Sequence, residues 1–259
     1  MKNENNAPKN RFTNRATYYA RYRPTYPTAV LTHLQTHCNL TPDSIIADIG
    51  SGTGLLAQLF LEHGNTVYGV EPNRTMREAG EAYLVHYGRF CSINASAEST
   101  TLPDNSIDFI TAGQAAHWFD LMPTKAEFER ILRADGYIAF AWNEPNDTGS
   151  SFMREHREIV SKYQLPHPFA QGHPIGPDLI LEGEAVVHKF DNFKWMDYEA
   201  LEGGALSSSS APLAGHPNHE LFLTELRRLF DKYAENGRVQ FRFKTTLRYA
   251  KRPFLSTIS

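Results

Sequence analysis

Apolar positions along the chain fall into two alternating rhythms. Short, nearly continuous apolar runs at residues 44–49, 66–71, 89–93, 107–112 and 136–142 read as strands buried on both faces. Between them, residues 54–63, 73–86 and 120–133 carry apolar side chains at helical spacing, as do Val30, Leu31 and Leu34 within 28–37. Strand and helix in alternation predict a parallel sheet with helices on both faces. After Trp142 the punctuation by Pro and Gly thickens. A helix is predicted near Phe152–Gln164, then a loop with Pro166, Pro168, Pro174 and Pro177, a strand at Ala185–Phe190, a turn at Ser207–Ser210 and an amphipathic helix at Leu221–Tyr233. Val239, Phe241 and Phe243 alternate within 239–249, which predicts an antiparallel closing strand.

Composition narrows the class. A chain of 259 residues suffices for one full α/β domain. A formal net charge of -3 and a pI near 6.4 give no pull toward nucleic acid or an anionic membrane. Cys38 and Cys91 stand far apart without metal or redox spacing, so reduced thiols are expected and no metal. The N-terminus lacks an apolar leader core, and no run is long enough to span a bilayer. A soluble cytoplasmic protein is expected. Residues 1–15, rich in Asn and Lys, read as a disordered tail, and 16–259 as a single domain.

The chemistry concentrates where the first strand ends. Ile45-Ile46-Ala47-Asp48-Ile49-Gly50-Ser51-Gly52-Thr53-Gly54-Leu55-Leu56 is an apolar strand closed by an acid, a turn through three glycines, and the opening of a helix. Glycines let the backbone approach a ligand closely, and free N–H groups at the helix start face the same space. A dinucleotide fingerprint would place its third glycine where Leu55 stands; Gly54 falls one residue early. About 20 residues beyond the turn, the run Thr66-Val67-Tyr68-Gly69-Val70 ends in Glu71, where a doubly wound fold places the carboxylate that holds ribose hydroxyls. Further on come Ala95-Ser96-Ala97-Glu98, Leu102-Pro103-Asp104-Asn105-Ser106-Ile107-Asp108, and Gln114-Ala115-Ala116-His117-Trp118-Phe119 at the end of the fourth strand.

The pattern Asp-x-Gly-x-Gly-x-Gly resembles motif I of the class I S-adenosylmethionine-dependent methyltransferases, and the later segments resemble the same family's motifs in order. The opening Tyr18-Tyr19-Ala20-Arg21-Tyr22-Arg23-Pro24-Thr25-Tyr26-Pro27 is similar to that of the methyltransferase type 11 and trans-aconitate methyltransferase-like group. The resemblance implies a Rossmann-like α/β fold, a doubly wound, seven-stranded, mostly parallel sheet. It further implies an N-terminal helical lid (16–40), a cofactor-binding core (41–143), a helical and loop insertion after the fifth strand on the substrate side (144–216), and a closing helix and strand (217–259).

It also implies S-adenosyl-L-methionine as cofactor, S-adenosyl-L-homocysteine as product, and roles for particular residues. Asp48, Gly50, Ser51, Gly52, Gly54, Glu71, Pro72, Met76, Ala97, Glu98 and Gln114 would bind cofactor. Each has a plainer reading beside it: the glycines as a tight turn, Asp48 and Glu71 as acids satisfied by helix N-termini, Glu98 as a solvated carboxylate, Met76 as core packing. Tyr18, Tyr22, Arg23, Tyr26, Trp118 and Trp142 would bind substrate, the guanidinium fork suiting a carboxylate; packed aromatics with a surface arginine are the alternative. Asn143, Glu144, His188 and Trp195 are further pocket candidates, and Phe119 is a candidate cofactor cover. His117 is the candidate catalytic imidazole or a structural one, and the chain has 11 histidines.

The expected function is methyl transfer by in-line displacement to a small molecule, at the oxygen of a carboxylate or hydroxyl or the nitrogen of a heterocycle. Alternatives are an NAD(P)-dependent oxidoreductase, for which no hydride-transfer set is visible, and a non-catalytic S-adenosylmethionine-binding protein. Neither nucleic acid nor membrane is an expected partner; monomer and homodimer both stay open.

Overall fold

The computed structural model of the chain describes residues 22–165, 180–181, 185–208 and 210–252. The expected tail at 1–15, Tyr18, and the prolines 166, 168, 174 and 177 lie outside these residues. After α1 (Ala29–Cys38) come β1 (Ile45–Ile49), α2 (Leu55–His63), β2 (Thr66–Val70), α3 (Arg74–Tyr83), β3 (Phe90–Ile93) and β4 (Ile107–Gly113). A single 3₁₀ turn, Ala116–Trp118, leads into α4 (Leu121–Ile131) and β5 (Leu132–Pro145). The chain continues through α5 (Ser151–Tyr163), β6 (Val186–Met196), α6 (Tyr198–Leu206), α7 (His219–Tyr233) and β7 (Val239–Lys251).

The seven strands form one sheet in the order β3-β2-β1-β4-β5-β7-β6. The first five run parallel, and β7 pairs antiparallel with both β5 and β6. This is the α/β, doubly wound arrangement expected from the sequence. The order reverses between β1 and β4, so loops leaving the carboxyl ends of those strands diverge and open a crevice.

Alternation along each strand builds two cores. On one face Ile46, Val67 and Phe109 meet α1 and α2 through Leu34, Leu56 and Phe60. On the other, Ala47, Ile49, Ile110, Ile138 and Phe140 meet Phe128 and Ile131 of α4. A third cluster, Phe152, Met153, Leu226, Leu229, Phe241 and Phe243, packs α5 and α7 around the start of β7. Helix starts are fixed locally: Asn73 accepts from the Met76 amide, Ser150 from Met153 and Asp197 from Ala200. Cys38 and Cys91 are both free thiols.

Several elements differ from the sequence expectation; helix 73–86 spans Arg74–Tyr83 and strand 136–142 spans Leu132–Pro145. The fourth-strand helix ends at Ile131 rather than 133, because Leu132 already pairs with Ile107 before a register shift admits 133–136. The strand expected at Ala185–Phe190 runs on to Met196, through polar residues tolerated on a sheet edge. Helix α6 was not anticipated; Gly203 and Gly204 hide its periodicity, and Gly203 is where the ring of Tyr22 packs.

Candidate active site

The turn after β1 is set by hydrogen bonds to the neighbouring strand. The amides of Gly50 and Ser51 both donate to the carbonyl of Val70, at 2.8 and 3.1 Å. Gly50 sits at φ +65°, and a Cβ there would come within 2.6 Å of Cβ of Ala115, so a side chain is excluded by conformation and by space. Gly54, at φ +84°, caps α2 and leans on Leu84; it shapes the turn without lining the crevice.

Two acids stand at the floor. Asp48, 1% exposed, accepts from the Thr111 hydroxyl at 3.0 Å through Oδ1, while Oδ2 is buried without a hydrogen-bond partner. Burial away from water, opposed by the Thr111 bond, pushes its pKa up to about 7. Glu71 accepts from the Asn73 amide at 2.8 Å through Oε1 and from the Gly52 amide at 2.9 Å through Oε2. Burial raises its pKa, with the two amide bonds and Arg77 pulling the other way.

Between these groups lies a cavity of about 330 Å³, walled by the glycine turn, Glu71, Pro72, Met76, Ala97, Glu98, Gln114, Trp118 and Phe119. Ten of the eleven residues expected to bind cofactor line it, Gly54 being the exception. Glu98 also accepts from the Asp120 amide at 3.0 Å, tying its loop to the start of α4. Gln114 holds a left-handed conformation, φ 58°, and donates to the carbonyl of Asn143 at 2.9 Å. Such strain in a residue with a Cβ persists only where the surroundings enforce it.

The segment expected as a lid lies against this cavity, which Arg23, Pro24 and Tyr26 help to line. Tyr22 and Tyr26 are each 8% exposed; the Tyr22 hydroxyl donates to Glu199 at 2.6 Å. The lid backbone is held by side chains from the far edge of the sheet: Asn192 donates to Thr25 O at 2.8 Å, and Lys194 to Tyr22 O and Arg23 O at 3.3 and 3.4 Å. Asn143 reaches Pro24 O and Thr25 O at 3.5 and 3.4 Å and accepts from Thr245 at 2.5 Å.

Arg23, Pro24 and Asn143 line a second cavity as well, of about 260 Å³, enclosed by α5, α6 and the start of β7. Tyr22 faces this second space, whereas Arg23 and Tyr26 reach the first. Among the described residues, five expected for substrate or catalysis line neither cavity: Trp142, His117, Glu144, His188 and Trp195. Trp142 points to the opposite sheet face, against Phe140, because side chains alternate along β5 and Asn143 takes the crevice side. His117 is exposed on the 3₁₀ turn with its ring against Trp118. Trp195 is 48% exposed on the outer strand, and His188 stacks with His33 there.

Apart from Tyr22, Arg23 and Asn143, the residues of the second cavity were not anticipated. His156, Met196, Leu201, Phe222, Phe241 and Phe243 come from five elements that meet only in the folded chain. One signal was present: Phe152, Met153 and His156 share a helical stripe, which puts a histidine on an apolar face.

Comparison with known proteins places this geometry. Residues 47–140 match the methyltransferase domain family. An uncharacterized methyltransferase of Mycobacterium tuberculosis is 31% identical over 159 residues, 58% of this chain and 62% of its own length. The chain thus spans about three fifths of that relative. A Saccharomyces cerevisiae protein named a probable S-adenosylmethionine-dependent methyltransferase is 30% identical over 142 residues, 51% of this chain and 48% of its own. Among solved structures, a candidate type II methyltransferase of Anaeromyxobacter dehalogenans shares the fold at TM-score 0.62 and 20% identity, covering 89% of this chain and 98% of that one.

Proposed function

We propose that the chain is a class I S-adenosylmethionine-dependent methyltransferase that transfers the methyl group to a small-molecule acceptor, as a cytoplasmic enzyme. The observation that supports this reading is the wall shared by the two cavities: Arg23, Pro24 and Asn143 border both, so one molecule in each space would meet there. The first cavity fits the cofactor. Its orphaned, buried Asp48 Oδ2 is an acceptor in want of a donor, which the ammonium end would supply. Glu71 keeps lone pairs beyond its two amide bonds for the ribose hydroxyls. Pro72, Met76, Ala97 and Glu98 would flank the adenine, and Gln114 the reacting end.

When bound, the cofactor supplies an electrophilic methyl group on a sulfonium. The chain's own contribution would be to align the acceptor with it and keep water out, the role this reading gives to the docked lid. No imidazole borders the first cavity among the described residues, so a proton-bearing nucleophile would find no histidine base there, and a carboxylate would need none. A lid of this kind excludes polymers. No helix among the described residues is long and apolar enough to cross a membrane. A non-catalytic binding protein would have no use for the second cavity, and a nicotinamide enzyme would need a different glycine register. Incubation with S-adenosylmethionine and panels of small carboxylic acids, heterocycles, peptides and nucleic acids tests the proposal through S-adenosylhomocysteine release. Turnover with a macromolecule alone would overturn it.

A further inference from the structure

Resting on that reading, we infer that the second cavity is the acceptor site and that it selects an aromatic carboxylic acid, with the imidazole of His156 reading a polar substituent on the ring. Three independent features carry this. The first is shape and lining: Phe222, Phe241, Phe243, Met196, Leu201 and Val160 form an apolar wall, with Gln164, Ser208 and Ser210 as polar lining beside it, and such a wall favours a ring over a chain of polar groups. Its 260 Å³ is room for a small aromatic molecule and not for a polymer segment.

The second feature is His156. It is 7% exposed, sits on α5, and packs edge-on against Phe241 with 4.8 Å between ring centroids. It lines the cavity, yet its Nε2 has no hydrogen-bond partner. A buried polar atom left without a partner is costly, and structures keep one where a ligand or function requires it. Removal from water drives its pKa down to about 4, so the imidazole is neutral at physiological pH and has one donor and one acceptor nitrogen to offer. An uncharged reader with one donor and one acceptor suits a ring hydroxyl or amino group and offers an anionic group no countercharge.

The third feature is the junction. Where the cavities meet, the shared wall offers Arg23, Pro24 and Asn143, none of which is a base at neutral pH. A nucleophile that arrives without a proton to lose needs no base at this wall. A carboxylate meets this condition and is favoured beside a guanidinium. One carboxylate oxygen forms the new bond to the methyl carbon, the carbon–sulfur bond breaks with its electron pair to sulfur, and the products are a neutral methyl ester and S-adenosylhomocysteine. The ring would lie toward β7 and α7, with the carboxylate toward the lid.

The test is equilibrium binding to the full chain saturated with S-adenosylhomocysteine, using 4-hydroxybenzoate, benzoate and the aliphatic adipate as probes. 4-Hydroxybenzoate is expected to bind at least about tenfold more tightly than benzoate, and adipate not measurably. Replacement His156→Phe should abolish the preference for the hydroxylated ring. Ala205→Phe, which fills the cavity from α6, should abolish binding of both aromatic probes while S-adenosylhomocysteine still binds. If S-adenosylhomocysteine binds but neither aromatic acid does, or if the preference survives His156→Phe, or if Ala205→Phe still binds the probes, the acceptor assignment is overturned. Failure to bind S-adenosylhomocysteine at all would instead overturn the methyltransferase reading beneath it.

Discussion

The Gly52 amide donates to Oε2 of Glu71 across 2.9 Å. The glycine turn after β1 and the acid after β2 are therefore one unit: the carboxylate that would hold the ribose also fixes the loop that would pass beneath the cofactor. Its other oxygen takes the Asn73 amide, so Glu71 additionally anchors the start of α3.

Replacing Glu71 by Ala should thus cost both binding and stability. Two buried amide donors lose their acceptor, at about 1–3 kcal/mol each. S-adenosylhomocysteine affinity should fall by tenfold or more in calorimetry, with a native circular dichroism spectrum and a lower melting temperature. Glu71→Gln should fare little better, since its amide nitrogen would face one of the two donors. Unchanged affinity in either variant would remove Glu71 from the cofactor site.

Gly80, on α3, tests the loop from behind. A Cβ there would lie 2.9 Å from the Gly52 carbonyl oxygen and 3.4 Å from the Thr53 carbonyl carbon. In an exposed helix, Gly→Ala would stabilise by about 0.5–1 kcal/mol. Here the contact is with backbone that cannot swing aside, and overpacking of about 1–3 kcal/mol wins. Gly80→Ala is expected to lower the midpoint of urea unfolding and to weaken S-adenosylhomocysteine binding together; a more stable protein with full affinity would show that the turn yields freely.

Much of this was legible in the sequence because its determinants are local. A strand, an acid and spaced glycines are neighbours in the chain, and the second acid follows at the distance one βαβ unit imposes, so the first cavity could be read nearly whole. The second cavity could not. Phe241 and His156 are 85 positions apart and face each other only because β7 folds back antiparallel between β5 and β6. Trp142 was misplaced by a single pleat, an error that no periodicity within so apolar a strand could correct. The strand expected at Ala185–Phe190 stopped short of Asp191, Asn192 and Lys194, although these polar residues belong to the edge strand and two of them donate to carbonyls of residues 22–25.

The lid prediction follows from those two. Asn192 and Lys194 donate to lid carbonyls, bonds worth about 0.5–1.5 kcal/mol each for the neutral pair and more for the charged one. Hydrogen exchange over residues 22–28 should slow when S-adenosylhomocysteine and an acceptor are bound. In a variant carrying Asn192→Ala and Lys194→Met it should quicken in the free protein, while exchange in β1 and β4 stays as it was. Lid exchange indifferent to ligands would mark the segment as a fixed part of the wall.

Asp48 and His156 give the free protein two opposed pH dependences. The Asp48 pKa rises from 3.8 to about 7, so between these limits the folded chain keeps a proton that the unfolded chain has released, and stability falls as pH rises through that window. For His156 the folded value drops from 6.5 to about 4, so the unfolded chain gains a proton that the folded chain refuses, and stability falls as pH falls below 6.5. Each effect amounts to at most about 4 kcal/mol, and over the shared range they largely cancel. Asp48→Asn should remove the first and leave a protein that loses stability steadily toward acid, read from urea unfolding across that range. Binding breaks the balance differently. An ammonium beside Asp48 favours the carboxylate, so S-adenosylhomocysteine should release a proton on binding below about pH 7, and its affinity should climb with pH up to that point. Calorimetry in two buffers of different ionisation enthalpy measures the proton directly; a buffer-independent heat in the wild type, or proton release that persists in Asp48→Asn, would show that this carboxylate does not face the charged end of the cofactor.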